Sequence, residues 1–132
     1  MSALDQERPT VYVIDADPAV RDGLQSLLRL LSLEVETHAS AESFLATPKL
    51  ASHACIVTEI QLPGLDGLEL QEELRSSGVN LPVIILASHG DVATAVRALR
   101  AGALDYIEKP FVDRVLTERI REALGLNEKS QA

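Results

Sequence analysis

The sequence has few of the residues that support disulfide or aromatic chemistry. Among 132 residues it contains one cysteine, Cys55, no tryptophan and only 3% aromatic residues. A single cysteine forms no internal disulfide, and its position in the apolar run ACIV predicts a buried, inert thiol. Because hydrophobic residues still make up 46% of the chain, the core must be built mainly from leucine, valine, isoleucine and alanine.

Long apolar runs and basic runs are also missing. No stretch approaches the roughly 18 apolar residues that a membrane span requires, and the first ten residues, MSALDQERPT, lack an apolar signal region. The formal net charge is −8, from 20 acidic and 12 basic side chains. This charge argues against nucleic-acid binding, because phosphate contacts need a basic face. We therefore expect a cytoplasmic protein that makes no direct contact with nucleic acid or membrane.

Two families of motif are absent as well. No G-x-G-x-x-G or Walker loop is found, which disfavours a dinucleotide site and a P-loop. No G-x-S-x-G elbow is present, which disfavours an α/β-hydrolase.

Five short aliphatic or β-branched runs alternate with segments of helical spacing. The runs VYVI, CIV and VIIL are apolar throughout, as in strands covered on both faces of a parallel sheet. The run EVET alternates, which is typical of an edge strand. The pattern predicts strands over residues 11–14, 34–37, 54–58, 82–86 and 104–107.

Capping residues mark the helices between these strands. Asp17 with Pro18, Ser40, Asp66 and Asp91 stand where helices should begin. Apolar residues recur at helical spacing, and on the fourth helix they form a stripe of Val92, Ala95, Val96 and Leu99. The leucines are expected in the core. Alternating strands and helices with short connections predict one α/β domain over residues 10–125, with tails at 1–9 and 126–132. Five such units fit a doubly wound, five-stranded parallel sheet of order 2-1-3-4-5, with helices on both faces.

Polar side chains collect where the predicted strands end. In such sheets the functional crevice lies at the carboxyl ends of the strands. The residues found there are Asp15, Asp17, Glu59, Ser88, His89 and Lys109. Carboxylate oxygens suit Mg²⁺, and a lysine with a hydroxyl opposite them suits a phosphoryl group.

These residues lie in motifs that resemble a known family. IDAD, VTEIQLPGLDGLEL and LASHGDVATAVRALRAGALDYIEKPF, at their spacing, resemble the receiver domain of bacterial two-component response regulators, in its FixJ-like subtype. The resemblance covers about residues 10–124. It implies a signalling module rather than an enzyme, with a histidine kinase or a phosphotransfer protein as its partner.

The resemblance also implies roles for single residues. The phosphoacceptor position, an aspartate in the family, is Glu59. Mg²⁺ would be held by Asp15, by the acceptor and by the backbone carbonyl of Gln61, with Asp17 nearby in the acidic pocket. The phosphate-binding and switch residues would be Ser88, Tyr106 and Lys109, and the Lys109–Pro110 bond is expected to be cis.

Two departures from the family pattern fall on this chemistry. The second member of the acidic pair is Ala16, which removes a charged oxygen ligand, so we expect weak Mg²⁺ binding at best. Glu59 is longer than aspartate by one methylene, about 1.3–1.5 Å of reach. In-line transfer is sensitive to misplacement on this scale, with losses on the order of 10²-fold. The longer carboxylate also brings its charge towards Lys109 and Ser88.

Three interpretations stay open at this point. A degenerate receiver, or pseudo-receiver, would be locked by a Glu59–Lys109 pair. A working receiver would still take phosphate, on Glu59 or on Thr58 or His89. In the third, an ordinary receiver has had its aspartate deliberately replaced, against which the independent change at Ala16 argues.

Other functional classes are also considered. One is a scaffold that sequesters a kinase or phosphotransfer protein without accepting phosphate. Another is a flavodoxin-like cofactor binder, which the missing aromatic and phosphate-loop residues disfavour.

The family resemblance further implies a homodimer. FixJ-like receivers dimerise through the face of the fourth helix and fifth strand, on or near which lie Arg97, Arg100, Asp105 and Arg114. Such regulators normally continue into a DNA-binding domain, and the sequence leaves open whether one belongs to this protein.

Overall fold

The strands and helices alternate along the whole described chain. A computed structural model describes residues 8–126; residues 1–7 and 127–132, the greater part of the two predicted tails, lie outside it. The strands are β1 (Thr10–Ile14), β2 (Glu34–His38), β3 (Ala54–Glu59), β4 (Val83–Ala87) and β5 (Asp105–Glu108). The helices are α1 (Pro18–Leu30), α2 (Ala41–Leu45), α3 (Gly67–Ser76), α4 (Val92–Arg100) and α5 (Asp113–Ala123). Within residues 8–126, no helix has the length and apolar character to cross a membrane.

All the strands form one parallel sheet in the order β2-β1-β3-β4-β5, which confirms the predicted fold. The chain runs outwards from β1 to β2 and then returns to β3 on the other side of β1. The order therefore reverses between β1 and β3, whose last paired residues are Ile14 and Thr58. Since Asp15 and Glu59 follow these two residues directly, they leave the sheet side by side.

Two apolar layers cover the sheet, one on each face. Successive residues of a strand point to opposite faces, so β1 sends Tyr12 and Ile14 to one layer and Val11 and Val13 to the other. The first layer also contains Phe44 of α2, Leu70 and Leu74 of α3, and Ala98 of α4. The second contains Leu24 and Leu28 of α1 and Leu116 and Ile120 of α5.

Cys55 is fully buried in the second layer. Burial raises the pKa of its thiol to about 12. The thiol is therefore protonated at neutral pH, as expected for an inert core residue.

The predicted helix caps are present. Asp17 accepts a hydrogen bond from the Ala19 N–H at 2.9 Å, and Asp91 accepts one from the Thr94 N–H at 2.7 Å. Asp66 forms a capping box with Glu69, in which each side chain accepts from the other's backbone N–H. These bonds satisfy N–H groups that a helix leaves unpaired at its first turn.

Two details of the sequence prediction are wrong. Pro82 precedes β4, which begins at Val83, because proline has no N–H to donate to a neighbouring strand. The leucines do not all lie in the core: Leu30 is 82% exposed and Leu99 is 47% exposed. Leu30 lies two positions from Leu28, on the opposite side of α1.

The apolar stripe of α4 also points away from the core. The buried residue of α4 is Ala98, which does not belong to the stripe, whereas Val92 and Val96 of the stripe are exposed. Helical periodicity showed that this stripe exists but not which way it faces. The helix packs on the sheet through its small residue and leaves larger apolar side chains on the surface.

Leu28 and Leu30, on opposite sides of the last turn of α1, offer a matched test of this core. Leu28→Ala should lower the free energy of unfolding by about 2–5 kcal/mol, because it removes packed atoms and leaves a cavity. Leu30→Ala should change it by less than about 0.5 kcal/mol, as for most surface substitutions. Urea unfolding of both variants measures the difference, and equal losses would contradict the assigned core.

Candidate functional site

Four polar side chains meet at the carboxyl edge of the sheet. Asp15 follows β1, Glu59 ends β3, Ser88 follows β4 and Lys109 follows β5. Parallel strands end at the same edge, so residues distant in sequence become neighbours there. The structure brings these four predicted site residues together, as the following distances show.

Lys109 lies between the two carboxylates. Its Nζ is 2.6 Å from Glu59 Oε1 and 2.7 Å from Asp15 Oδ2. The Lys109 side chain is 18% exposed and each carboxylate side chain only 4%. Water is therefore largely excluded, and this ion pair is screened much less than a surface pair. One positive and two negative charges leave a formal charge of −1 in the pocket.

Every carboxylate oxygen in the pocket has a hydrogen-bond donor. Glu59 Oε1 also accepts from Ser88 Oγ at 3.0 Å, and Glu59 Oε2 accepts from the Gln61 N–H at 3.0 Å. Asp15 Oδ1 accepts from the Asp17 N–H at 2.9 Å, while Asp15 Oδ2 is bonded to Lys109. Buried charges are tolerated only when they are paired and hydrogen-bonded in this way.

The pKa values of the pair shift in opposite directions. Burial alone would raise the pKa of Glu59, but hydrogen bonds from Lys109, Gln61 and Ser88 and the charge of Lys109 hold it below its ordinary value. Burial alone would lower the pKa of Lys109, but Asp15 and Glu59 raise it above its ordinary value. Both groups are therefore charged at neutral pH, and the ion pair is intact.

The remaining predicted site residues lie around this centre. The Asp17 side chain is exposed and caps α1, so the acidic pocket receives its N–H rather than its carboxylate. Gln61 and His89 are exposed. Thr58 is fully buried, and its hydroxyl donates to the Glu59 carbonyl at 3.1 Å. The Lys109–Pro110 peptide bond is cis, as expected.

Tyr106, the predicted switch aromatic, is half-buried on β5. Its hydroxyl is packed against Gly90, where a Cβ atom would overlap it. Burial, followed by the charges of Asp91 and Glu108, raises the pKa of Tyr106. The space that glycine leaves is what admits the hydroxyl; the switching role stays a prediction.

Sequence reasoning missed Arg21. Its Nη1 donates to the main-chain carbonyl of Asp15 at 2.6 Å, which fixes the turn that carries the Asp15 carboxylate. The signal was available, because Arg21 lies one helical turn after the N-cap Asp17 and helical side chains point towards the N-terminus.

Acid should weaken the fold through Glu59. Because its pKa is lower in the folded chain, the pair stabilises the fold fully above the ordinary value of 4.5. That stabilisation is lost as pH falls through the folded value. In urea unfolding between about pH 5 and pH 3, Glu59→Gln should therefore lose less stability than the unchanged protein. Glu73→Gln, which removes an exposed carboxylate, is the control, and identical pH slopes for all three proteins would contradict the assignment.

Comparisons with known proteins agree with this architecture. The family model described as "Response regulator receiver domain" matches residues 11–121. The transcriptional regulatory protein FixJ of Azorhizobium caulinodans is 44% identical over 115 residues, which cover 87% of this chain and 54% of that protein. The response regulator protein TodT of Pseudomonas putida is 38% identical over 116 residues, covering 88% of this chain and 51% of that protein.

A solved structure gives the same result. The crystal structure of FixJ-N superposes with a TM-score of 0.82 at 39% identity, covering 90% of this chain and 95% of that one. The chain spans about half the length of the curated relatives it matches. With the parallel sheet and the motifs at its carboxyl edge, these matches lead to one conclusion: the chain belongs to the response-regulator receiver domain family of two-component systems, with FixJ response regulators among its close homologues.

Proposed function

We propose that this receiver domain does not use ordinary phosphotransfer, and that the Glu59–Lys109 ion pair holds its pocket in a closed state. The domain would signal through protein–protein contacts in the cytoplasm, with a histidine kinase or phosphotransfer protein as its partner. Receiver domains are typically signalling modules, and nothing in this pocket requires a catalytic role of its own.

One observation carries this proposal: Lys109 and Ser88 both bond to the same oxygen, Glu59 Oε1, at 2.6 and 3.0 Å. These are the two groups that the family pattern assigns to the phosphoryl oxygens. An incoming phosphoryl group would have to displace both from Glu59 before it could bind. Of the two Glu59 oxygens that could attack phosphorus, one is bonded to Lys109 and Ser88 and the other to the Gln61 N–H, which opposes the alignment that transfer requires.

The residues present do not fit a resident Mg²⁺ ion. Receiver domains typically bind Mg²⁺ at the acceptor site, through hard oxygen ligands in near-octahedral geometry. Here Ala16 supplies no side-chain ligand, Asp17 caps a helix, and Lys109 occupies an oxygen of both Asp15 and Glu59. Within residues 8–126, no group of three acidic, histidine or cysteine side chains is placed to hold a metal. A metal ion would have to compete with Lys109 for one oxygen of each carboxylate.

Phosphorylation at a neighbouring residue is the second interpretation. Thr58 is fully buried with its hydroxyl bonded to a carbonyl, so a phosphodonor cannot reach it without local opening. His89 is exposed and is the more accessible alternative. The same experiment tests Glu59, Thr58 and His89, because the modified peptide identifies the residue.

Incubation with acetyl phosphate and Mg²⁺ should leave the mass of this protein unchanged. The double variant Glu59→Asp with Ala16→Asp restores the family pattern and should gain one phosphoryl group under the same conditions. Intact-protein mass spectrometry measures both. Addition of a phosphoryl group to the unchanged protein would overturn the proposal, and peptide mapping would show where it was added.

A second copy of the chain is the proposed partner of the α4–β5 face. The exposed apolar residues on this face are Val92, Val96, Leu99 and Leu104. Such a patch favours burial against another surface. The charges nearby are partly paired within the chain, since Asp105 accepts from Arg119 Nε at 2.8 Å. Arg97, Arg100 and Arg114 are exposed and would form the polar border of the interface.

Val96→Asp should shift the protein towards the monomer, because it places a charge in the middle of this apolar patch. Leu30→Asp is the matched control, since Leu30 is 82% exposed on the distant helix α1. Sedimentation velocity over a concentration series measures the change. A protein that stays monomeric at all concentrations, or a Val96→Asp dimer as strong as the original, would contradict the proposed interface.

A further inference from the structure

We infer that Glu42 of α2 is a positioning residue for the pocket. Its carboxylate accepts a hydrogen bond from the β3–α3 loop (residues 60–66). We infer that this bond acts as a clamp, a contact that restrains the loop so that the Gln61 N–H stays hydrogen-bonded to Glu59. The inference deepens the proposed function, and it rests on that proposal in treating the Glu59 contacts as the working state of the pocket.

Glu42 contacts the middle of the loop directly. Its Oε2 accepts a hydrogen bond from the Leu65 N–H at 2.9 Å. The same carboxylate packs against Gly64, where a Cβ atom would overlap Oε2. Gly64 has a φ of +75°, a conformation that glycine adopts without strain. The bond from Leu65 comes first among the causes that lower the pKa of Glu42, so the acceptor is an ionised carboxylate, which binds an N–H more strongly than a neutral one.

Hydrogen bonds anchor the loop to the sheet and to α3 at its two ends, and the partly buried side chains of Leu62 and Leu65 pack on the first apolar layer. The Ile60 N–H donates to the Leu86 carbonyl at 2.8 Å, and the Gly67 N–H donates to the Ile60 carbonyl at 2.8 Å. Between these anchors lies Gln61, whose N–H donates to Glu59 Oε2. Within residues 8–126, the hydrogen bond that joins the segment 61–65 to a helix other than α3 is the one that Glu42 of α2 accepts from Leu65. Loss of the Glu42 carboxylate removes the hydrogen bond that ties this segment to α2, so the Gln61 donor becomes less restrained.

Core packing and a side-chain hydrogen bond hold the helix that carries Glu42 in place. Phe44 of α2 is 1% exposed in the first apolar layer. His38, the last residue of β2, lies 2.8 Å from Ser43 Oγ through its Nδ1 atom. The His38 carbonyl accepts from the Asp15 N–H at 3.0 Å. Glu42 therefore ties the loop after Glu59 to the same strand end that supports Asp15.

An isolated surface hydrogen bond would behave differently from a clamp. It would protect the Leu65 N–H and have no influence four residues away. A clamp restrains the whole segment, so the Gln61 N–H and the ion pair beyond it respond as well. Backbone amide exchange separates the two cases, because it reads each N–H individually.

The test is Glu42→Ala, followed by NMR amide exchange and by the ¹⁵N chemical shift of Lys109 Nζ. We expect exchange at Gln61 to accelerate about tenfold, as for loss of a charge-assisted hydrogen bond, and the Lys109 signal to move. Glu42→Gln keeps a carbonyl acceptor and should restore most of the protection. Glu69→Ala is the matched control, since it removes a carboxylate bond to the Asp66 N–H of the same loop but comes from α3.

Three results would overturn the inference. The first is faster exchange at Leu65 alone, with Gln61 and Lys109 unchanged. The second is a failure of Glu42→Gln to recover protection. The third is an equal effect of Glu69→Ala on Gln61.

These exchange rates report on the loop whether or not Glu59 accepts phosphate. Failure of the clamp and failure of the proposed function are therefore separate outcomes.

Discussion

The site depends on one ammonium group held between two buried carboxylates. Lys109 comes from the end of β5, Asp15 from the end of β1 and Glu59 from the end of β3. Removing Lys109 would leave two buried carboxylates without a counter-charge, which is far more costly than losing a surface pair. The pocket is therefore stable only as a unit, and the sheet order that brings the three strand ends together is the condition for it.

The two departures from the family pattern complement each other in this arrangement. A third carboxylate at residue 16 would add negative charge that a single lysine could not balance, and a divalent cation would then be favoured. With Ala16 there, one ammonium serves both remaining carboxylates. The extra methylene of Glu59 lets one oxygen bond to both Lys109 and Ser88, while the other accepts from Gln61. Under the proposed function, the lost acid and the longer acceptor favour the same closed, metal-free pocket.

Structural features that depend on short, local sequence patterns could be predicted from the sequence. Alternation and connection length predicted a parallel sheet with helices on both faces, and caps such as Asp17 followed from residue type before an apolar stripe. The strand order came from the family resemblance. Contacts of long side chains with main-chain atoms were harder to predict. The position of Arg21 one turn after the N-cap was a signal, but the Leu65 N–H that Glu42 binds is a backbone group that carries no sequence signature. The direction of the α4 stripe was also hidden, since periodicity alone does not tell which side of an amphipathic helix meets the sheet.

The position of Lys109 links the pocket to the proposed interface through one strand. β5 is the edge strand of the sheet beside α4, and Lys109 follows its last residue directly. Under the proposed function, the two contacts of Lys109 hold this end of β5 in one arrangement without a phosphodonor. In an ordinary receiver, phosphorylation shifts a population between two arrangements. With one arrangement built in, association through the α4–β5 face would be governed by protein concentration through mass action. Under the proposed function, the amount of protein made is then the signal that its partners read.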